Sequence, residues 1–196
     1  MTFPRLVLAT HNAGKLREFA RILGGHFTDM TTAGQLGLPE PDETGSTFTE
    51  NALIKARAAF QATGDAVLAD DSGLCVHALN GDPGLYSSRW GGPTKDFNIA
   101  MKRVEDALGD AKDRSAHFVA VLALITPDGK EHLFEGRIDG QMVWPPRGTH
   151  GHGYDPVFVP DGETRTFAEM DDAEKNAISH RAVAIGKLLA WLKQQS

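Results

Sequence analysis

The stretch AVLADDSGL, residues 66–74, decides how the rest of the chain must be arranged. Its apolar start through Val67 and Leu68 has the composition of a buried strand, and the run stops at two adjacent acids, Asp70 and Asp71. Neighbouring carboxylates at the end of a buried strand repel each other and lose hydration, so a cation or hydrogen-bond donors must compensate them. We therefore predict a polar site where this strand ends.

Strand and helix patterns are mixed along the remaining sequence and predict an α/β (mixed α+β) fold. The predicted strands are residues 6–9, 66–69, 74–79, 117–125, 132–138 and 157–159. The apolar stripes of the predicted helices run over residues 16–23, 48–60, 97–108 and 178–192. Residues 117–125 are apolar on both faces, which is typical of a central strand, and a hairpin joins them to 132–138. Thr47 and Glu50 have the spacing of a capping box, and Gly64 ends that helix.

The composition is that of a soluble globular protein, with 41% hydrophobic and 23% charged residues among 196. This length predicts a single domain over residues 1–196. The net charge of -6 disfavours a general nucleic-acid partner. Cys75 is the only cysteine, which excludes an intramolecular disulfide and favours a cytoplasmic location. The sequence predicts neither a signal peptide nor a membrane partner, because the longest apolar run covers only residues 118–125.

Residues 10–15, THNAGK, connect the first predicted strand to the first helix. Backbone N–H groups and the positive end of a helix dipole at such a junction attract phosphate. Gly14 allows close approach of the backbone, and Lys15 adds a positive charge, but the GxxxxGK[ST] pattern of a Walker A loop is absent. An ordinary helix start capped by Asn12 fits this stretch equally well.

The carboxylates predict a site for Mg²⁺. Oxygen ligands without clustered cysteine or histidine suit this ion, which takes one or two protein carboxylates and shares substrate phosphates. Asp70 and Asp71 are candidates, and Glu43 in the acidic loop adds a third. As an alternative, one of the two aspartates caps a turn at Ser72 and Gly73.

Two later stretches offer further polar groups. Residues 150–156, HGHGYDP, predict either a flexible pocket wall with an aromatic ring for stacking or a surface turn. In residues 174–181, EKNAISHR, Lys175 and Ser179 lie four positions apart and therefore on one helix face. That end of the helix faces either a cleft or solvent.

Together these stretches resemble the inosine triphosphate pyrophosphatase family, also called XTP/dITP diphosphatases. The matching pieces occur in the family's order and span nearly the whole chain. They are THNAGKLREF (10–19), ETGSTFTENALIKA (43–56), ADDSGLCVHALNGDPGLYSSRW (69–90), GHGYDPVF (151–158) and EKNAISHRAVA (174–184).

The resemblance implies a cytoplasmic, Mg²⁺-dependent enzyme that hydrolyses ITP, dITP and XTP to the monophosphate and pyrophosphate. It implies an elongated mixed β-sheet flanked by helices, with two lobes and a central cleft, in a homodimer. Glu43 and Asp71 would hold the metal, and Asp71 would activate the attacking water. The implied substrate-binding residues are Thr10, His11, Asn12, Ala13, Gly14, Lys15, Ser72, His152, Gly153, Tyr154, Asp155, Lys175, His180 and Arg181.

Four histidines need separate comment. His152 replaces a Phe that is common in the family, and His11 replaces a common Gly. His77 and His117 lie in apolar strands and are expected at the core or a sheet edge rather than as ligands. For base selectivity, an arginine or a protonated histidine facing the 6-oxo group would favour hypoxanthine and xanthine over adenine.

Two other functions compete with this interpretation. Maf-type nucleotide pyrophosphatases prefer modified pyrimidines or methylated purines, but the EKNAISHR stretch argues against them. A non-catalytic nucleotide sensor would have no need of the carboxylate that activates water. Turnover separates the enzymes from the sensor, and a panel of bases separates the two enzymes.

Overall fold

The computed structural model describes residues 3–195, in which six strands form one open mixed sheet and five segments are α-helical. The strands are β1 (Phe3–Leu8), β2 (Phe27–Thr32), β3 (Ala66–Val76), β4 (Ser115–Ile125), β5 (Glu131–Met142) and β6 (Phe158–Pro160). The helices are α1 (Ala13–Leu23), α2 (Phe48–Thr63), α3 (Phe97–Leu108), α4 (Asp172–Ile178) and α5 (His180–Gln194). None of these helices has the length and apolar character needed to cross a membrane.

The strand order is β2-β1-β3-β4-β5-β6. β1 pairs in parallel with both β2 and β3, whereas β5 and β6 are antiparallel, so the sheet is mixed. β4 lies inside the sheet and is almost fully buried, as its continuous apolar sequence predicts. The predicted α/β (mixed α+β) fold class is confirmed.

The chain folds into two compact units. The first contains the chain up to Asp71, together with Val121–Glu135 and the part from Ala184 onward. The second contains Ser72–Ala120 and Gly136–Val183. Each has buried apolar side chains of its own; Phe118, for example, packs edge-on against Phe158 in the second unit, with ring centroids 4.6 Å apart. That one domain covers the whole chain stays a prediction.

Helix α2 begins and ends where the sequence predicts, but its start is stabilised differently. The Thr47 hydroxyl accepts the Glu50 N–H at 3.1 Å, which is half of the predicted capping box. The Glu50 carboxylate instead accepts the backbone N–H and the hydroxyl of Ser46, at 2.6 and 2.8 Å. Gly64 ends the helix at φ +71, a conformation that glycine adopts without the steric cost of a side chain.

Three sequence-based assignments are corrected by the structure. Residues 66–69 and 74–79 are not separate strands: β3 is continuous from Ala66 to Val76, and a 3₁₀ turn, His77–Leu79, follows it. Neither aspartate therefore caps a turn at Ser72. The sequence FTDMTT, residues 27–32, for which no strand was predicted, forms β2 at the edge of the sheet.

The third correction concerns the C-terminal helix, which is interrupted. Ser179 is extended, with ψ 158, and separates α4 from α5. Its hydroxyl accepts the Ala182 N–H at 3.1 Å, so a serine that could continue a helix instead begins a new one. Lys175 and His180 consequently belong to different helices.

We expect Gly140 on β5 to be intolerant of a side chain. A Cβ atom there would lie 2.3 Å from the Val159 carbonyl oxygen and 2.6 Å from the Phe158 ring. Gly140→Ala should lower the free energy of unfolding in urea by about 1–3 kcal/mol, because the adjacent β6 backbone must move. Gly186→Ala is the control: no atom lies within 4 Å of its Cβ position in α5, and helix propensity should raise stability by about 0.5–1 kcal/mol. Equal effects of the two substitutions would contradict the packing at Gly140.

Candidate active site

Asp70 and Asp71 each face a lysine in the first unit. Successive side chains of a strand point to opposite faces, so adjacent aspartates in β3 leave the strand in opposite directions. The Lys15 ammonium donates to both Asp70 carboxylate oxygens at 2.6 Å, and the two side chains are 25% and 12% exposed. The Lys55 ammonium lies 3.8 Å from the Asp71 carboxylate. Asp70 and Asp71 are therefore compensated by two different lysines.

Lys55 also joins Asp71 to Glu43. Its ammonium lies 3.3 Å from Glu43 Oε1, so one positive charge serves two carboxylates. The three side chains are largely shielded from water, with exposures of 13% for Lys55, 14% for Asp71 and 30% for Glu43. Glu43 and Asp71, the two predicted metal ligands, therefore both contact Lys55. Asp70, held by Lys15, has a separate partner.

Sequence reasoning assigned no role to Lys55, although a signal was present. The buried face of α2 is formed by Asn51, Ala52, Ala56 and Ala59. Lys55 falls four residues after Asn51 and three after Ala52, and therefore on that face. A lysine on the buried face of an alanine-rich helix requires an anionic partner, and Glu43 and Asp71 meet this requirement.

The predicted phosphate loop has the form of a capped helix start. Asn12 Oδ1 accepts the Gly14 N–H at 2.8 Å, and the Thr10 hydroxyl accepts the Asn12 N–H at 3.1 Å. His11 and Ala13 are exposed. The loop thus leads into the N-terminus of α1, whose dipole favours an anion, and it places Lys15 in the first turn. Capping and phosphate binding are compatible here.

In the second unit, Asp155 is buried, with its side chain 4% exposed, and it organises the residues around it. Its Oδ2 accepts the backbone N–H of His152 at 2.9 Å and pairs closely with the Lys175 ammonium. Gly151 has φ +71, and a Cβ there would lie 2.1 Å from the same carboxylate oxygen. The glycine therefore permits the turn that surrounds Asp155. Lys175 also lies over the Phe167 ring, 5.5 Å from its centroid.

The expectation that Tyr154 offers a ring for stacking is wrong. Tyr154 is 2% exposed and packs edge-on against Phe97, with ring centroids 5.4 Å apart. Its hydroxyl donates to the Ser87 carbonyl at 2.6 Å, and burial raises the pKa of this phenol. Tyr154 fixes the loop from inside the core, whereas the His152 side chain is exposed.

His180 begins α5 and stacks on Phe118, with ring centroids 4.8 Å apart and planes 13° apart. Its Nδ1 atom is buried and has no hydrogen-bond partner within residues 3–195. Burial, followed by the positive charges of Arg181 and Lys175, lowers the pKa of His180 to about 3. His180 is therefore neutral near neutral pH. The expectation that a protonated histidine donates to the 6-oxo group is wrong for this residue. Arg181 follows it at a partly exposed position.

The predicted residues therefore form two groups, one in each unit. We name each group after the part of the substrate that its residues are predicted to contact. The phosphate-side group contains Thr10–Lys15, Glu43 and Asp71, with Lys55 added by the structure. The base-side group contains His152–Asp155, Lys175, His180 and Arg181. Ser72 follows Asp71 along β3 and is partly buried.

Comparison with known proteins finds relatives that match nearly the whole chain. A relative from Gluconobacter oxydans named dITP/XTP pyrophosphatase is 58% identical over 94% of this chain and 89% of its own. A relative of the same name from Caulobacter vibrioides is 56% identical over 96% of this chain and 97% of its own.

Two solved structures are also similar to this chain over nearly its whole length. The Ham1 protein of Staphylococcus aureus has a TM-score of 0.93 and 37% identity, covering 98% of this chain and 100% of its own. A HAM1 protein from Coxiella burnetii has a TM-score of 0.92 and 41% identity over 97% of this chain and 99% of its own. The model of the Ham1 family matches residues 6–191, and we conclude that this chain belongs to the Ham1 family.

Proposed function

We propose that this chain is a Mg²⁺-dependent nucleoside-triphosphate pyrophosphatase that hydrolyses ITP, dITP and XTP to the monophosphate and pyrophosphate. The observation that carries the proposal is the position of Lys55, whose single charge lies within 4 Å of both Glu43 and Asp71. The names of the relatives from Gluconobacter oxydans and Caulobacter vibrioides support the same substrates. A cytoplasmic location and a homodimer remain predictions.

The donor set fits a hard divalent cation. Glu43 and Asp71 offer only oxygen atoms, and both already face one shared positive charge. Two carboxylates suit Mg²⁺, which keeps several waters and is bound through one or two carboxylates plus substrate phosphates. When bound, this ion would neutralise charge on the triphosphate and on the departing pyrophosphate.

The phosphate-side group supplies the remaining electrostatics. A triphosphate carries about four negative charges near neutral pH. Lys15 and Lys55 are point charges on flexible stems, so each can turn from its carboxylate towards a phosphate oxygen. The N-terminus of α1 adds backbone donors. These cations explain how a chain with a net charge of -6 binds a polyanion.

The reaction is a displacement at the α-phosphorus. The Asp71 carboxylate accepts a proton from water while the water oxygen bonds to phosphorus. The bond between the α-phosphorus and the bridging oxygen breaks, and that oxygen leaves with pyrophosphate. Before substrate binds, the Lys55 ammonium lies 3.8 Å from the Asp71 carboxylate and offsets its negative charge.

The base-side group would select the purine. Hypoxanthine and xanthine present a 6-oxo acceptor, whereas adenine presents a 6-amino donor. Arg181 is always charged and donates in a planar fork, which suits a carbonyl oxygen. A neutral His180 has one N–H to donate. With adenine, two donors would face each other, at a cost of about 1–3 kcal/mol.

The proposed function predicts one pattern of products. With Mg²⁺, the protein should release pyrophosphate from ITP and XTP and little from ATP, GTP, dTTP or dUTP, and EDTA should stop the reaction. Pyrophosphate and orthophosphate are assayed separately. Asp71→Asn should reduce kcat by about 10²–10⁴-fold, the range for losing a general base, with an unchanged circular dichroism spectrum.

Asp106→Asn serves as the matched control, since that side chain is 61% exposed. Orthophosphate release or a pyrimidine preference would contradict the proposal. Absence of turnover would favour a nucleotide sensor, and near-normal activity of Asp71→Asn would remove this residue from the chemistry.

Arg181→Ala and His180→Ala should each reduce the ratio of kcat/KM for ITP to that for ATP by about tenfold or more, because each removes a donor to the 6-oxo group. Steady-state kinetics on both nucleotides measure the ratio. Lys187→Ala is the control, because the Lys187 ammonium donates to the Glu135 carbonyl in the first unit. If the ratio stays constant in either variant, that side chain does not read the base.

The neutral state of His180 also predicts acid sensitivity. The pKa of an unfolded histidine is about 6.5, while burial lowers that of folded His180 to about 3. Between these values only the unfolded chain takes up the proton. The free energy of unfolding should therefore decrease as the pH is lowered, and His180 contributes up to about 1.4 kcal/mol of this decrease per pH unit.

Urea unfolding at several pH values between about 7.5 and 4.5 tests this contribution. His180→Gln should show a shallower fall in the free energy of unfolding than the wild type. His26→Gln should retain the wild-type slope. Parallel curves for the wild type and His180→Gln would show that His180 is not held neutral.

A further inference from the structure

A second cluster of polar side chains lies in the second unit and includes none of the residues assigned above. His77 Nε2 is 3.1 Å from His117 Nδ1, and the ring centroids are 5.3 Å apart. His77 starts the 3₁₀ turn after β3 and is exposed, while His117 lies on the neighbouring strand β4 and is partly exposed. Both rings are therefore accessible from solvent, and neither is a core histidine.

One end of this pair is anchored. The Ser115 hydroxyl donates its single proton to Asp113 Oδ1 at 2.5 Å. The Ser115 hydroxyl oxygen lies 2.8 Å from His77 Nδ1 and has no second proton to donate, so it accepts the Nδ1–H of His77. A neutral His77 then carries its lone pair on Nε2, directed at His117. The anchor thus fixes the tautomer of the His77 ring and restrains its rotation.

This arrangement is the one that metal-binding histidines usually show. A ligating histidine donates its other ring N–H to an oxygen acceptor, which orients the ring and makes the ligating nitrogen more basic. Here the acceptor is Ser115, supported by the Asp113 carboxylate.

The spacing of the two nitrogens also matches a shared metal ion. Two imidazole nitrogens bound to tetrahedral Zn²⁺ at about 2.0–2.1 Å lie roughly 3.3 Å apart. The observed separation between His77 Nε2 and His117 Nδ1 is 3.1 Å. The two rings must rotate so that both lone pairs meet at one point, but the strands that carry them need not move apart.

We propose that His77 and His117 form a binding site for a borderline divalent transition-metal ion such as Zn²⁺. Binding requires His117 to carry its proton on Nε2 instead of Nδ1, an exchange through solvent that leaves both histidines neutral. Within the described residues 3–195, no third His, Cys, Asp or Glu completes a cluster, so water fills the other positions. The neighbouring charges are those of Asp139 and Arg137, which are hydrogen-bonded to each other at 2.6 Å.

This site differs chemically from the carboxylate pair of the first unit. Imidazole ligands suit Zn²⁺, Ni²⁺ and Cu²⁺, whereas carboxylates and water suit Mg²⁺. Glu43 and Asp71 supply oxygen atoms only, and the histidine pair supplies nitrogen atoms only. The inference does not depend on the proposed hydrolytic function and would stand without it.

The test is a Zn²⁺ titration of the untagged 196-residue chain in excess Mg²⁺, in competition with a chromophoric chelator. One Zn²⁺ ion per chain should bind. His77→Ala and His117→Ala should each weaken binding by more than about tenfold, as loss of one of two protein ligands requires. Ser115→Ala should weaken it by about tenfold while both ligands remain, which is typical of losing an outer hydrogen bond.

Two controls locate the ion. His26→Ala removes a histidine elsewhere and should leave the Zn²⁺ affinity unchanged. Glu43→Gln alters the carboxylate site and should also leave it unchanged. Nitrogen NMR of the imidazoles should show Zn²⁺-dependent shifts at His77 Nε2 and His117 Nδ1. Absence of saturable binding, retained affinity in both alanine variants, or loss of affinity in Glu43→Gln would each overturn the proposal.

Discussion

Two lysine–carboxylate contacts on β3 are the constraint on which the phosphate-side group depends. Asp70 and Asp71 are adjacent in a strand that continues beyond them, and both are largely shielded from water. Removing one partner of a buried ion pair typically costs about 3–5 kcal/mol, because a charge is left without compensation. Lys15 from α1 and Lys55 from α2 prevent that cost, one on each face of the strand. The strand can therefore carry acids through the interior of the sheet.

The same contacts connect stability with ligand binding. In the structure each lysine is paired with a carboxylate, so its charge is already partly neutralised. A cation bound by Glu43 and Asp71 would take over the compensation that Lys55 provides, and Lys55 would become available to a phosphate oxygen. Cation and triphosphate binding would then favour each other through Lys55, a linkage that neither ligand could produce alone.

Much of the fold could be predicted, because it depends on local pattern, whereas the roles of the residues in both groups stay predictions that rest on motifs. The apolar spacing of α3 and the apolar run of residues 118–125 in β4 predicted these two elements correctly. The continuity of β3 could not be predicted, since it depends on lysines 55 and 16 residues away from their aspartates in sequence. The break at Ser179 was missed because serine serves equally as a helix residue and as a cap.

Side-chain burial explains the remaining differences between the sequence predictions and the structure. The motif HGHGYDP contains one aromatic ring, and only the fold decides that Tyr154 points into the core while His152 stays outside. The protonation of the histidines also depends on their neighbours in the fold. His180 lies against Phe118 and near two cations, so it is neutral. His77 instead has an anchored N–H and an accessible second nitrogen. One residue type thus offers a buried neutral donor at His180 and, at His77, an exposed ring whose second nitrogen faces His117. The neighbours that cause this difference are set by the strands and helices rather than by the histidine itself.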